Sequence, residues 1–382
     1  AYERSSHKES AEYQAFLEEN EEWLDDYALY MAVKGKYEGK GWMDWDEDIR
    51  FRRPEALSAY REELAEEINY WKFLQFKFFE QWEKLKQYAK EKDLQIVGDI
   101  PIYVALDSAD VWSHPELFQL DEENLTPLKV SGVPPDAFSE DGQLWGNPLY
   151  DWEKMEQTDF AWWRSRMKAS AKLYDAVRID HFIGVVQYYA IPYGAVTAKD
   201  GEWEKGPGKK LTDALDEAAG ETKIIAEDLG VFCQEVKDLL AETGYPGMKI
   251  IEFAFSGDRF NEHLPHCYDP NSVVYGGTHD NETLAGYFKP EKRQWWELQY
   301  IADYLGAAHQ SEVVDRVFRA AYGSVASVAI FQMQDVLKLD NWARMNTPGT
   351  LGENWRWRLV PGQFTDERAD YLSWLVDTFG RF

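Results

Sequence analysis

Residues 176–182 read AVRIDHF and residues 223–231 read KIIAEDLGV, and these two stretches decide the fold. Each is a short apolar run that reaches a carboxylate, Asp180 in the first and Glu227 in the second. Continuous apolar runs are typical of parallel strands, which are buried on both faces. Four further runs share this character and alternate with helical segments: LQIVGDIPIYV (94–104), MKIIEFAF (248–255), SVVYGGTHDNE (272–282) and SVASVAIFQMQDVL (324–337), the last being also compatible with a helical start. The pattern predicts βα units around a parallel sheet.

Each of these runs carries an acid at or near its carboxyl end. The acids are Asp99, Asp180, Glu227, Glu252, Asp280 and Asp335. All strand C-termini of a parallel barrel open on one face, where the active site lies, so we expect these acids on a common rim. We therefore predict an α/β fold of the TIM (β/α)8 barrel type with helical and loop insertions. Six candidates fall short of eight strands, and we expect the first two barrel strands to be absent from this chain rather than hidden in residues 1–90.

The rest of the chain divides around these runs. Residues 1–92 are predicted to form a helical insertion subdomain, because aromatic residues such as Trp23 and Tyr27 recur there at helical spacing. Residues 93–382 are predicted to form the catalytic barrel portion. Within it, residues 105–152 form a long stretch without strand or helix patterning, which we interpret as a loop that covers the substrate.

The composition indicates which kinds of partner and which cellular compartment suit this chain. The formal net charge is −28, which argues against nucleic acid or an anionic membrane as partner. There are only two cysteines, so a disulfide framework is excluded and a reducing compartment is favoured. We expect a cytoplasmic protein, or a plastidial one if the source is a plant or alga. Aromatic residues make up 15% of the chain, and flat apolar rings suit stacking on sugars, although most must be core. The oligomeric state cannot be derived.

VRIDHF places Arg178 two residues before Asp180, so both side chains lie on the same face of a strand. A guanidinium beside a carboxyl lowers its pKa and keeps it ionised, as a glycosidic nucleophile must be. A structural ion pair at a barrel rim is the alternative.

Two further motifs suit the other roles of a sugar-cleaving site. Glu227 in IIAEDLG is a candidate general acid, while the adjacent Asp228 points to the opposite side and suits a helix N-cap better. In GGTHDNET, His279 and Asp280 could bind sugar hydroxyls. A structural role remains open for each of these residues.

Sites for metals or cofactors are not indicated. The sequence contains no HExxH, no CxxC, no EF-hand loop and no phosphate-cradling glycine loop before a helix. We expect neither a cofactor nor a metal ion.

Taken together, the motifs resemble the α-amylase superfamily and, within it, the 4-α-glucanotransferases (amylomaltase or disproportionating enzyme, glycoside hydrolase family 77). The segments that carry the resemblance are GDIPIYVALDSADVW, SGVPPDAFSEDGQLWGNP, DAVRIDHFIG, IIAEDLGV, GGTHDNETLAGY and RMNTPGTLGENWRWR. It extends from about residue 20 to the C-terminus, whereas the front of the family pattern, with its first barrel strands and an SPY-type segment, is not found.

The resemblance implies a role for each matching residue. Asp180 corresponds to the nucleophile, Glu227 to the acid/base and Asp280 to the residue that stabilises the transition state. The substrate-contacting positions are implied to be Arg178, His279, Asp136, Gln143, Trp145 and Asn346. The implied substrates are α-1,4-glucans and maltooligosaccharides.

The implied reaction is glucan transfer by a retaining double displacement. Retention predicts a separation of about 5–5.5 Å between the carboxyls of Asp180 and Glu227. Two alternatives stay open: an α-amylase-type hydrolase with the same three acids, and an inactive, incomplete barrel that only binds glucan.

Overall fold

The computed structural model of the chain describes residues 2, 8, 10–135, 139–230 and 233–382. The chain forms two compact units, Ala1–Ile224 and Ile225–Phe382. The boundary predicted from the sequence, between a helical subdomain at 1–92 and a barrel portion at 93–382, stays a prediction. None of the described helices combines the length and apolarity needed to cross a membrane.

The first unit begins with helices and continues with strands and helices in alternation. Its elements are α1 (Ala11–Glu19), α2 (Glu21–Lys36), α3 (Glu47–Arg50), α4 (Pro54–Glu63), α5 (Ala65–Glu91), β1 (Val97–Pro101), α6 (Ala109–Ser113), β2 (Lys129–Val133), β3 (Gln143–Pro148), α7 (Trp152–Gln157), α8 (Ala161–Leu173), β4 (Ala176–Asp180), α9 (Ile183–Val186), β5 (Gln187–Pro192), β6 (Glu202–Lys205), α10 (Lys209–Ala219) and β7 (Lys223–Ala226), which runs into the second unit. The predicted helical character of the first 90 residues is confirmed by α1–α5.

The helical region is fastened to the segment that follows β1. Trp42 is fully buried, and its indole N–H donates to the Leu106 carbonyl at 2.6 Å. The Tyr30 hydroxyl donates to Asp107 Oδ1, also at 2.6 Å. The polar atoms of these two buried aromatic side chains thus have hydrogen-bond partners. The same two hydrogen bonds hold the segment that follows β1 against the helices.

Strands β1 and β4 pair in parallel, and their register places Asp99 opposite Arg178 and Pro101 opposite Asp180. The first four residues of β4 are buried and its last, Asp180, is only partly so. A buried strand that is apolar except for Arg178 thus ends on a partly exposed acid, as the sequence predicts.

A four-stranded antiparallel sheet, in the order β3-β2-β5-β6, is the part of the first unit that the sequence did not reveal. The prediction that residues 105–152 lack regular structure is wrong, because α6, β2 and β3 lie there. Gly132 permits the close approach of β2 and β3: a Cβ at this position would lie 2.2 Å from the Gln143 carbonyl oxygen.

The second unit is a three-stranded parallel sheet with helices. Its elements after the end of β7 are α11 (Gln234–Thr243), β8 (Gly247–Ile250), β9 (Ser272–Tyr275), α12 (Leu284–Tyr287), α13 (Trp295–Leu305), α14 (Val313–Tyr322), β10 (Val328–Ile330), α15 (Met333–Val336) and α16 (Asp366–Phe379). The order is β10-β9-β8, and both pairs are parallel. All six predicted runs thus contain a strand, although the last ends in the short helix α15.

Candidate active site

The C-terminal end of β4 holds a guanidinium between two carboxylates. Arg178 Nη2 donates to Asp180 Oδ1 at 2.6 Å, and Nη1 donates to Asp99 Oδ2. Arg178 is buried, with 7% of its surface exposed, whereas the side chains of Asp99 and Asp180 are 42% and 41% exposed. The predicted contact of Arg178 with Asp180 is present. Its second partner, Asp99, comes from the neighbouring strand and could be found only through the strand register.

Two predicted substrate residues lie on β3. Gln143 and Trp145 are two residues apart and share a face of the strand, and Trp145 Nε1 donates to Gln143 Oε1 at 3.2 Å. The indole of Trp145 is 38% exposed, as a stacking platform needs to be. Asp136, the third predicted residue of this segment, lies outside the described residues.

His181, which the sequence argument did not single out, links this platform to β4. Its ring lies edge-on to Trp145, with 4.7 Å between centroids and an interplanar angle of 86°. Burial lowers the pKa of His181 to about 4, so its ring is neutral near pH 7. Its φ of 52° is in the left-handed region, which is uncommon for a residue other than glycine. The chain therefore turns sharply directly after Asp180.

Glu227 follows β7 directly and is 8% exposed. Its Oε1 accepts a hydrogen bond from the Leu229 N–H at 3.0 Å. The neighbouring Asp228 accepts from the Met248 N–H at 2.7 Å, at the start of β8. The helix N-cap suggested for Asp228 is wrong, because α11 starts at Gln234 and its N-cap position is Cys233.

Asp280 lies in the loop between β9 and α12, and Asn346 holds its carboxylate. Asn346 Nδ2 donates to Asp280 Oδ1 at 2.5 Å, and the Asn346 N–H donates to the His279 carbonyl at 3.1 Å. His279 Nε2 lies 3.4 Å from Asp280 Oδ2. The structure thus brings together three of the predicted residues in the second unit.

Two residues around this loop were missed by the sequence argument. Arg344 Nη2 donates to the carbonyl oxygen of Asp280 at 2.5 Å, and Arg344 Nε donates to the Asn346 carbonyl at 2.8 Å. The Trp355 ring packs against His279, with 4.9 Å between centroids. The segment RMNTPGTLGENW begins at Arg344 and contains Asn346 and Trp355, so its residues were in view but their contacts were not.

Two further strand-end acids are buried more deeply than Glu227 and do not line a rim. Glu252 is 3% exposed and Asp335 is fully buried, so the expectation of a common rim is wrong for both. Burial, with the nearby charges of Asp335 and Glu282, raises the pKa of Glu252 well above its usual value. Burial raises the pKa of Asp335 to about 7. Both acids therefore differ from Asp180 in exposure, because Asp180 ends β4 with a partly exposed side chain.

Among the described residues, no group of three or more His, Cys, Asp or Glu side chains is arranged to hold a metal ion. The polar groups described above are carboxylates, imidazoles, amides and guanidinium groups. Such groups can transfer protons, attack an electrophilic carbon and bind hydroxyls.

Comparisons with known proteins identify the chemistry. A sequence model of the 4-alpha-glucanotransferase family, glycoside hydrolase family 77, matches residues 1–363. The 4-alpha-glucanotransferase of Clostridium butyricum is 48% identical over 100% of this chain and 78% of its own length. That of Synechocystis is 47% identical over 97% of this chain and 73% of its own length.

Among solved structures, the amylomaltase from Streptococcus agalactiae in complex with acarbose superposes with a TM-score of 0.92. It is 41% identical, and the match covers 97% of this chain and 74% of that protein. The predicted α/β, TIM-barrel-like fold class is thereby confirmed, although the described strands form separate sheets and no closed barrel. With this fold, this family match and relatives that are nearly half identical, the chain belongs to the 4-alpha-glucanotransferase family and is an enzyme of glucan transfer.

Proposed function

We propose that the chain transfers α-1,4-glucan segments between maltooligosaccharides by a retaining double displacement. Asp180 is the nucleophile, Glu227 the acid/base and Asp280 the residue that stabilises the transition state. The observation that carries this proposal is the half-exposed carboxylate of Asp180, held at 2.6 Å by the buried guanidinium of Arg178. A carboxylate that is accessible and fixed beside a positive charge suits attack on an anomeric carbon.

The first displacement cleaves the donor glucan. Glu227 donates its proton to the glycosidic oxygen while Asp180 attacks the anomeric carbon, so the bond between that carbon and the leaving oxygen breaks and a glucosyl ester of Asp180 forms. One oxygen of Glu227 accepts from the Leu229 N–H at 3.0 Å, which fixes the carboxyl at the end of β7.

The second displacement forms the new glucan. Glu227, now ionised, takes the proton of the acceptor 4-hydroxyl as this oxygen attacks the anomeric carbon, and Asp180 leaves. Asp280 accepts hydrogen bonds from sugar hydroxyls, more strongly in the distorted transition state than in the bound substrate. Asn346 fixes one oxygen of Asp280, and His279 lies beside the other.

The proposal assigns substrate contacts to the remaining predicted residues. Trp145 offers a partly exposed ring for stacking on an acceptor sugar, and Gln143 fixes that ring through its indole N–H. Arg178, His279 and Asn346 contact sugar or hold the acids that do. Asp136 is assigned on the resemblance alone, since it lies outside the described residues.

Incubation of the full chain with maltotriose tests the reaction. Transfer yields a ladder of longer maltooligosaccharides together with glucose, whereas hydrolysis yields only glucose and maltose. The anomeric configuration of the first-formed product, followed by NMR, tests retention. A product mixture without chains longer than maltotriose would contradict transfer and favour the hydrolase alternative, and an inverted product would contradict the double displacement.

A further inference from the structure

Two buried acids contact both ends of the loop that carries Asp280. We call residues 276–284 the Asp280 loop. At its start, the Gly276 carbonyl accepts from the Glu252 N–H at 3.2 Å. At its end, the Leu284 N–H donates to Asp335 Oδ1 at 2.7 Å. The loop is thus anchored on residues that follow β8 and β10, the two neighbours of β9 in the sheet.

The side chain of Glu252 also packs directly under this loop. A Cβ added at Gly277 would lie 2.7 Å from Glu252 Oε1, so only glycine fits there without a shift of the acid or the loop. Oε1 is buried and has no hydrogen-bond partner among the described residues, and the same holds for Asp335 Oδ2. A buried carboxylate without partners is unfavourable, whereas an uncharged carboxyl is tolerated far better.

The two acids nearest to Glu252 act in the same direction as its burial. Asp335 and Glu282 raise the pKa of Glu252 beyond the effect of burial, while Arg344 and Arg293 oppose them. Tyr287, the other titratable group in contact, donates its hydroxyl proton to the Glu252 carbonyl oxygen and is itself harder to ionise because it is buried. The two acids thus disfavour the ionised form of Glu252 in addition to its burial.

We propose that Glu252 is a positioning residue, whose buried carboxyl, packed under Gly277, keeps the Asp280 loop in the shape that presents Asp280 to the substrate. The inference deepens the proposed function and rests on the role given there to Asp280. Arg344 connects the two residues, because it donates to the Asp280 carbonyl and also lies close enough to Glu252 to act on its charge. An ionised Glu252 attracts Arg344 away from Asp280, because its buried Oε1 has no hydrogen-bond partner among the described residues.

The test compares Glu252→Gln, Glu252→Ala and the wild type in the full chain. Glutamine keeps the shape and stays uncharged at every pH, whereas alanine removes the contact with Gly277. Glu262→Gln is the matched control, because Glu262 is a half-exposed acid of the same unit that pairs with Lys237 and Lys249 instead of the loop.

The donor in this test is maltosyl fluoride with a saturating sugar acceptor. Fluoride leaves without needing a proton, so the first displacement does not require the proton of Glu227. A decrease of kcat at high pH therefore cannot be caused by ionisation of Glu227 in this step. Rates are measured from about pH 6 to about pH 10, a range that includes the pKa values to which enzymes commonly adjust catalytic carboxyl and amino groups. Infrared difference spectra across the same range follow the C=O stretch of protonated carboxyl groups.

We expect Glu252→Gln to retain most of the wild-type kcat at low pH and to lose the decrease that the wild type shows at high pH. Glu252→Ala is expected to lose kcat by up to about 10²-fold, with little change in KM, because a displacement of about 1 Å at a catalytic group has effects of that size. A protonated-carboxyl band that disappears at high pH in the wild type should be missing from Glu252→Gln.

Superimposable pH profiles of the wild type and Glu252→Gln would overturn the inference, and so would an unchanged kcat in Glu252→Ala. If Glu252→Gln does not fold, Gly277→Ala tests the same contact from the loop side, and an unaltered kcat there counts against it. Asp280→Asn separates the two proposals: its inactivity beside an unaffected Glu252→Ala refutes only the positioning role, whereas an active Asp280→Asn refutes the proposed function.

Discussion

Two strand-end aspartates of the molecule are held in different ways. In the first unit, Asp180 receives a hydrogen bond from the charged guanidinium of Arg178 at 2.6 Å, and the same guanidinium binds Asp99 on the neighbouring strand. In the second unit, Asp280 receives its hydrogen bond at 2.5 Å from the uncharged amide of Asn346. The first arrangement depends on the register of two strands, and the second depends on contacts between loops.

This difference fits the chemistry proposed for each acid. A nucleophile has to be ionised and fixed, and a guanidinium supplies both charge and direction. An acid that binds sugar hydroxyls needs the right position more than added positive charge, and an amide supplies position. We therefore expect the first site to be most sensitive to changes of charge and the second to changes of hydrogen bonding.

The largest expected effect follows from Asp180→Asn. The amide cannot form the glucosyl ester, so we expect kcat for maltotriose disproportionation to fall at least about 10⁴-fold, with the fold retained by circular dichroism. Asp99→Asn is the comparison, because Asp99 contacts the same guanidinium and has no part in the covalent step. A loss in Asp180→Asn no greater than that in Asp99→Asn would remove Asp180 from the role of nucleophile.

A smaller effect is expected for Arg178→Lys. A single ammonium cannot reproduce the planar pair of donors that reaches both Asp99 and Asp180, so we expect kcat to fall about 10²-fold. Arg164→Lys is the matched control, since Arg164 also bridges two carboxylates, those of Asp159 and Glu217, at the surface. Equal losses in the two variants would mean that bridging itself, and not the position at β4, is what matters.

These expectations also show how far the sequence leads. The apolar runs and their terminal acids predict all six parallel strands, because hydrophobic burial on both faces leaves a pattern in consecutive residues. The spacing of Arg178 and Asp180 predicts their contact, since residues two apart share a face of a strand. The same reasoning predicts Gln143 beside Trp145 only once β3 is known.

What the sequence does not predict depends on pairing between distant segments. The antiparallel sheet was missed because β2 and β3 are short and lie among turn residues, and β6, EWEK, is largely charged. The burial of Glu252 and Asp335 could not be predicted either, because an acid after a strand looks the same whether the following loop folds over it or away from it. The roles of Asp180, Glu227 and Asp280 remain proposals that the experiments above can test.

Asn346→Ala tests the second arrangement. Removal of the amide takes away a hydrogen bond to a charged group, of about 1.5 kcal/mol, so we expect kcat to fall about tenfold while KM changes less. Asn354→Ala is the control, because the Asn354 side chain binds the Thr347 and Thr350 backbone of the same segment and does not contact Asp280. A decrease in Asn354→Ala as large as that in Asn346→Ala would assign the effect to the segment as a whole.

The last expected effect is on stability instead of activity and concerns the buried Asp335. Burial raises its pKa to about 7 in the folded chain, against about 4 in the unfolded chain. Between these values only the folded chain holds the proton, so this residue's contribution to the free energy of unfolding is complete below about pH 4 and is lost as the pH rises to about 7. Asp335→Asn cannot titrate and keeps an oxygen for the Leu284 N–H. Its melting temperature should therefore rise relative to the wild type over this range, by about 2–4 °C for each kcal/mol, and stay level above it.

Asp315→Asn, which removes a surface partner of Lys338, is the control in the same unit. A difference between Asp335→Asn and the wild type that does not vary between about pH 4 and pH 7 would mean that Asp335 is ionised in the folded chain throughout. The contrast between an acid held by charge and acids held by burial would then not extend to Asp335.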